Sequence, residues 1–307
     1  MGVTVDQVLI TDVVLRDGLQ DEAVTVPTRE KLELARGLLD AGVTSLEVGS
    51  FVNPARVPQM ADTGELLRRL LPDVSAQLHT LVFNERGARQ AVDNGARSVR
   101  FVVSASDGHS RENAGMPTAE ALDRLDRCAE ILNAAGVSIE GCVATAFVCP
   151  FDGDTPAERV VGIAGRLVAM GARVVHLADT IGAASPGRLA RTVTAVQDKY
   201  PDQQVGLHLH NTYGMASANA WQGVKLGVRR FDASLGGIGG CPFAPGAAGN
   251  IATDDLVNML HHEGISTGID GDRLTDVRDR LAITVGHRLD SALASVPAVP
   301  ARLRVGG

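Results

Sequence analysis

The chain has 307 residues, 45% of them hydrophobic and 21% charged, with four cysteines and a formal charge of −7. That is enough apolar material for a large core, and it excludes disorder as the default state. The acidic balance speaks against a nucleic-acid partner, which needs Lys and Arg clustered on one face, and Cys128, Cys142, Cys149 and Cys241 are too scattered for a disulfide framework.

Residues 1–6 have neither the basic nor the apolar region of an export signal, and Asp6 stands where a myristoylation pattern needs Ser or Thr. No stretch of about 18 apolar residues occurs. The expectation is a cytoplasmic protein without membrane or nucleic-acid partners, acting on a small molecule.

Short β-rich runs are expected near 8–15, 43–48, 76–82, 98–104, 137–145, 172–178, 204–210 and 228–235, separated by longer helical patterns. The first helix follows Thr28 and carries the apolar stripe Leu32, Ala35, Leu38 and Leu39. Gly42, Gly95, Gly136, Gly171 and Gly227 each sit between a helical pattern and an apolar run, where a left-handed residue closes a helix, and Pro72 and Pro201 supply the two other breaks. These seven junctions recur at about 31 residues, the size of a βα unit. Thr155-Pro156-Ala157-Glu158 reads as a capping box and Ser185-Pro186 as a second helix start. Eight βα units without a linker predict an α/β fold, a closed (β/α)8 TIM barrel with additional C-terminal helices. We expect a single catalytic domain over 1–307, with the barrel at about 8–265, a helical extension at 266–296 and a loose tail at 297–307.

Chemistry in such a barrel sits at the C-terminal ends of the strands. The polar residues expected there are Asp12, Arg16 and Asp17 on unit 1, Glu47 on unit 2, Asp179 on unit 6, His208 and His210 on unit 7, and the segment from Gly236 to Asn250 on unit 8. His208 and His210 are two apart on a strand, so both imidazoles point inward while Leu207 and Leu209 face the helices, an arrangement suited to a divalent metal. Asp17 is either an oxygen ligand beside them or the ion-pair partner of Arg16. Glu47 ends an apolar run as an inward carboxylate that needs a cation, for which Arg16 is the obvious candidate. The glycine-rich segment suits a lid over substrate or a phosphate cradle, and Cys241 within it can be a reactive thiol. Asp179 reads as an orienting carboxylate rather than an acid or base. His79 and His176 read as packing or supporting groups, Cys128 as a helix packing residue, and His109 as a substrate contact.

Asp12-Val13-Val14-Leu15-Arg16-Asp17-Gly18, Glu47 to Gln59, Asp179-Thr180-Ile181-Gly182, His208-Leu209-His210-Asn211-Thr212-Tyr213-Gly214 and Gly239-Gly240-Cys241-Pro242-Phe243 together resemble the metallolyase barrels that include the 3-hydroxy-3-methylglutaryl-CoA lyase family. The resemblance implies a Mg²⁺ or Mn²⁺ site built from Asp17, His208, His210 and Asn250. It also implies Arg16, Glu47 and Cys241 around the reacting carbons, an acyl-CoA substrate and a homodimer. The implied reaction is retro-Claisen cleavage of a 3-hydroxyacyl-CoA, with 3-hydroxy-3-methylglutaryl-CoA giving acetyl-CoA and acetoacetate. The metal and Arg16 would stabilise oxygen charge and Cys241 would protonate the departing enolate, while His208, Glu47 and Asp179 remain alternative bases. Val14-Leu15 where relatives carry Gly-Pro, Ala23 in place of a basic residue, and Ser106 to His109 depart from the family pattern and leave the acyl chain open. A condensing synthase of the isopropylmalate or citramalate type shares the metal residues and is the competing expectation, with a barrel that only binds metal as a third.

Overall fold

The computed structural model describes residues 7–72, 76–240 and 249–296. Eight parallel strands close a barrel in sequential order: β1 (Leu9–Asp12), β2 (Ser45–Ser50), β3 (Gln77–Val82), β4 (Ser98–Ser104), β5 (Ser138–Ala144), β6 (Ala172–Asp179), β7 (Gln204–Leu209) and β8 (Arg230–Ala233), with β8 pairing back onto β1. Outside the strands run α1 (Thr28–Asp40), α2 (Thr63–Leu70), α3 (Glu85–Asp93), α4 (Asp107–Ala114), α5 (Thr118–Ala134), α6 (Ala157–Ala169), α7 (Pro186–Lys199), α8 (Ala216–Lys225) and α9 (Thr253–His262). Helix α10 (Gly271–Val285) follows the last unit and packs on α1, closing the ring beside the first strand.

The punctuation behaves as its chemistry requires. Gly42, Gly95, Gly136, Gly171 and Gly227 all take positive φ between 69° and 95° at helix-to-strand junctions, a conformation costly for any residue with a Cβ. Ser185 caps α7 by accepting from the Arg188 N–H. The expected capping box at Thr155 does not form: α6 begins after Pro156 without a side-chain cap, because the Thr155 hydroxyl donates instead to the Thr145 carbonyl at 2.7 Å and ties down the preceding turn. Cys128 is buried in α5 as expected.

Two strand ends are shorter than the apolar runs suggest. Strand β1 stops at Asp12, and Val14–Gly18 winds into a single π-helical turn. Single π turns of this kind are frequent at functional sites, and this one carries Arg16 and Asp17. On the last unit, Leu235–Gly237 forms a 3₁₀ turn whose glycines are buried, with Gly236 accepting the Asp290 and Ser291 N–H groups. Gly236 to Gly239 are therefore packed chain, not a free lid; residues 241–248, including Cys241, lie outside the described part of the structure. A short hairpin after β5 pairs Val148–Cys149 with Gly153–Asp154 at the same end of the barrel.

Candidate active site

Side chains that alternate along β7 separate as the strand period demands. Leu207 and Leu209 enter the apolar layer under the helices, while His208 and His210 meet inside the barrel with their Nε2 atoms 3.1 Å apart. His210 immediately follows the strand and bridges Asn250, whose amide thereby reaches the same point. From the π-helical turn comes Asp17, its Oδ2 lying 3.9 Å from His208 Nε2 and 3.7 Å from His210 Nε2 and accepting from Asn250 Nδ2 at 2.6 Å. Gly239 makes this convergence possible, since a Cβ there, at φ 111°, would lie 2.5 Å from the Asn250 amide.

Among the described residues, Asp17, His208 and His210 offer ligand atoms within 4.8 Å of one another. The hydrogen-bond accounting fits a cation at that point. Asn250 Oδ1 is buried without a partner among the described residues, while His208 Nδ1 donates to Asp232 Oδ2 at 3.2 Å, which turns its Nε2 toward Asp17. A ring nitrogen anchored on a carboxylate is the usual support of a ligating imidazole.

Arg16 donates from Nε to Glu47 and from Nη1 to Asp17, and it lines a cavity of about 400 Å³ at the C-terminal mouth of the barrel. Around it stand Asp17, Gln20, His109, Thr180, His208 and His210. His109 is on this wall, its Nδ1 bonded to the Ser104 hydroxyl. Glu47 is fully buried and also accepts from Arg100, a partner that its own segment of sequence gave no reason to expect.

A second tier forms the floor of the cavity, which Arg100 and Asp232 line. Arg100 of β4 donates to Glu47 at 3.1 Å, Asp232 at 2.8 Å and Glu140 at 2.8 Å; His176 contacts Glu140 at 3.3 Å, and His79 bridges Ser45 and Ser98. Gly206 leaves room for this tier, because a Cβ there would lie 2.5 Å from His176 Nδ1. Arg100, Glu140 and Asp232 did not emerge from the sequence reading. The available signal is a charged residue at inward parity within an apolar strand, as in Val99-Arg100-Phe101 and Phe231-Asp232-Ala233.

Charges in this space shape one another. Burial alone would raise the Asp17 carboxyl, but Arg16 and the two imidazoles hold it well below the usual range. His208 is pushed down by burial and more than recovered by Asp232 and Asp17, so it ends above its ordinary value. His210 is driven down to about 4 by burial and by the neighbouring His208. Two guanidinium groups, Arg16 and Arg100, face four carboxylates, Asp17, Glu47, Glu140 and Asp232. Carboxylates outnumber guanidinium groups here, an acidic balance that favours a cation.

Asp12 and Asp179 do not join the site. Asp12 accepts from the Val14 N–H and the Thr253 hydroxyl and braces the first and last units, while Asp179 accepts from the Ala183 and Ala184 N–H groups. Burial raises Asp179 to about 6 against those two donors, and its flanking residues Ala178 and Thr180, not Asp179 itself, line the cavity.

A family model described as HMGL-like matches residues 7–281. The chain belongs to that family. It is 43% identical to the (R)-citramalyl-CoA lyase of Chloroflexus aurantiacus over 92% of this chain and 93% of that one, and 37% identical to the mitochondrial hydroxymethylglutaryl-CoA lyase of Rattus norvegicus over 96% and 90%. A solved HMG-CoA lyase from Acinetobacter baumannii, in complex with coenzyme A and 3-methylmalate, superimposes with a TM-score of 0.89 at 36% identity, covering 98% of this chain and all of that one. The family places the chain among carbon–carbon lyases. No described helix is long and apolar enough to cross a membrane.

Proposed function

We propose that the chain is a divalent-metal-dependent lyase that cleaves the C2–C3 bond of a 3-hydroxy-3-methylacyl-CoA. The observation that carries this reading is the convergence of Asp17, His208 and His210 beside Arg16 on the wall of the cavity at the barrel mouth. Asp17, His210 and Asn250 would hold the ion, with His208 able to exchange between ion and proton. When bound, Mg²⁺ or Mn²⁺ lowers the pKa of a coordinated hydroxyl and withdraws charge from a neighbouring carbonyl.

The cleavage removes the C3 hydroxyl proton, breaks C2–C3 with its electron pair passing into the thioester enolate, and ends with a proton delivered to C2. Three bases are conceivable. Glu47 is held by two guanidinium groups and Asp179 by two backbone N–H groups away from the cavity, whereas His208 is on the wall; we assign the hydroxyl proton to His208. Arg16 keeps Nη2 without an acceptor among the described residues, which leaves a donor for oxygen charge that grows in the transition state. Cys241 is assigned the protonation of C2 on the strength of the family motif alone.

The acyl group is 3-hydroxy-3-methylglutaryl, giving acetyl-CoA and acetoacetate. A second reading, citramalyl-CoA giving acetyl-CoA and pyruvate, is favoured by the 43% identity to a lyase of that name. Both substrates share the 3-hydroxy-3-methyl centre and differ by one methylene before the carboxylate. Incubation of each thioester with enzyme and Mn²⁺, with mass-spectrometric detection of acetoacetate and pyruvate, tests both. Formation of either keto acid with acetyl-CoA supports the lyase; turnover of neither, with acetyl-CoA consumed when a 2-oxo acid is added, would assign a condensing synthase instead.

A further inference from the structure

The middle of a (β/α)8 barrel is normally filled by branched apolar side chains. Here the inward position in the centre of β4 is an arginine that is 1% exposed, and its Nε has no hydrogen-bond partner among the described residues. A buried N–H without an acceptor costs about 1–3 kcal/mol, and an apolar residue of similar volume often serves stability as well as a buried ion pair. Arg100 is thus a poor choice for packing alone, and its contacts indicate what it does.

Its Nη1 donates to two carboxylates at once, Glu47 Oε2 on β2 and Asp232 Oδ2 on β8, and Nη2 donates to Glu140 on the adjacent strand, its register partner. The other oxygen of Glu47 takes Arg16 Nε, and the same Asp232 oxygen takes His208 Nδ1. One guanidinium nitrogen therefore lies at the centre of a chain of contacts with Arg16 at one end and His208 at the other. Asp232 is register-paired with His208 itself, and its second oxygen has no described partner, so the direction of its carboxylate depends on the bonds to Oδ2. We infer that Arg100 is a positioning residue for the reaction, aiming Glu47 and Asp232 and through them Arg16 and His208. This rests on the lyase reading for its kinetic consequence, though its structural consequence does not.

The planar fork is the operative feature, since a lysine ammonium in the same place supplies charge without the two-sided reach. In the Arg100→Lys variant, kcat should fall at least about tenfold while the KM for the cleaved thioester stays within about twofold, because Arg100, at the floor of the cavity, has both Nη atoms committed to carboxylates. Mn²⁺ affinity, followed by electron paramagnetic resonance of the free ion, should weaken by about tenfold, the lower end of what the loss of a supporting contact to a ligating imidazole costs. Combining Arg100→Lys with Asp232→Asn should give less than the product of the two effects, as expected for residues acting along one path. Glu140→Gln, which loosens the Nη2 anchor and leaves the arginine in place, should reproduce a weaker form of both changes and serves if the lysine variant does not fold. Arg100→Lys with wild-type kcat and Mn²⁺ affinity, fully multiplicative effects in the double variant, or a silent Glu140→Gln where the lysine variant is insoluble, would each overturn the assignment. If the wild-type chain cleaves neither thioester, the lyase reading falls, and the Mn²⁺ titrations of the same variants still decide whether Arg100 aims the ligand set.

Discussion

Replacing Arg16 with lysine separates charge from geometry at the cavity wall. The arginine engages Glu47 through Nε and Asp17 through Nη1 and leaves Nη2 without an acceptor among the described residues, three directions set by one rigid plane. A single ammonium on a flexible stem can satisfy one or two of these with varying aim and cannot hold all three at fixed angles. Loss of one donor aimed at developing oxygen charge costs about 10²–10³ in kcat, or roughly 2.7–4 kcal/mol of barrier. The fold should persist, because Glu47 retains Arg100 at 3.1 Å and so is not left as an unpaired buried charge. The formal charge is unchanged, so Mn²⁺ affinity should move by less than about threefold, in contrast to the loss expected for a ligand variant. Steady-state thioester cleavage at saturating Mn²⁺, with a calorimetric titration of the ion, measures both quantities. A kcat within about threefold of wild type would refute the reasoning and reduce Arg16 to an ion-pair partner of Glu47 and Asp17.

Three further outcomes follow from the same geometry. The double change His208→Ala with His210→Ala should abolish stoichiometric Mn²⁺ binding, measured by metal analysis after gel filtration, while the circular dichroism of the barrel survives because Leu207 and Leu209 still anchor β7; retained ion at one per chain would sink the site. Asp12 is raised by burial to about 7 despite hydrogen bonds from Thr253, Val14 and Leu235, so its native state holds a proton that the unfolded chain releases near its ordinary value. Its contribution to stability is present below about pH 4 and is lost as pH rises toward 7. Asp12→Asn, which is neutral at every pH, should flatten that decline and add on the order of 2–4 kcal/mol at pH 8 in urea titrations; equal pH profiles for the two proteins would show that Asp12 does not titrate in this way. Cys241→Ser should lower kcat by impairing proton delivery to C2 while leaving KM in place, and normal turnover in that variant would remove the acid role.

The amino-acid sequence by itself determined the eight-unit barrel, because each junction is marked by a residue with a backbone reason to be there: glycine for a left-handed φ, or proline as a break. It also determined that His208 and His210 share a direction, since strand alternation needs no tertiary knowledge, and the local motifs pointed to Arg16, Asp17 and Asn250. Barrel closure decided the rest. Arg100 meets Glu47 across 53 positions and Asp232 across 132, and each of these residues alone reads as a stray charge in an apolar run. Periodicity tells which way a side chain points; it does not tell which side chains arrive from the other walls. For the same reason Asp12 and Asp179, at strand ends that look equivalent to that of His208, turn out to bond to nearby backbone and hydroxyl donors and leave the cavity to others. Partnership inside a closed barrel is fixed by the register of every strand at once, and a single segment does not carry that information.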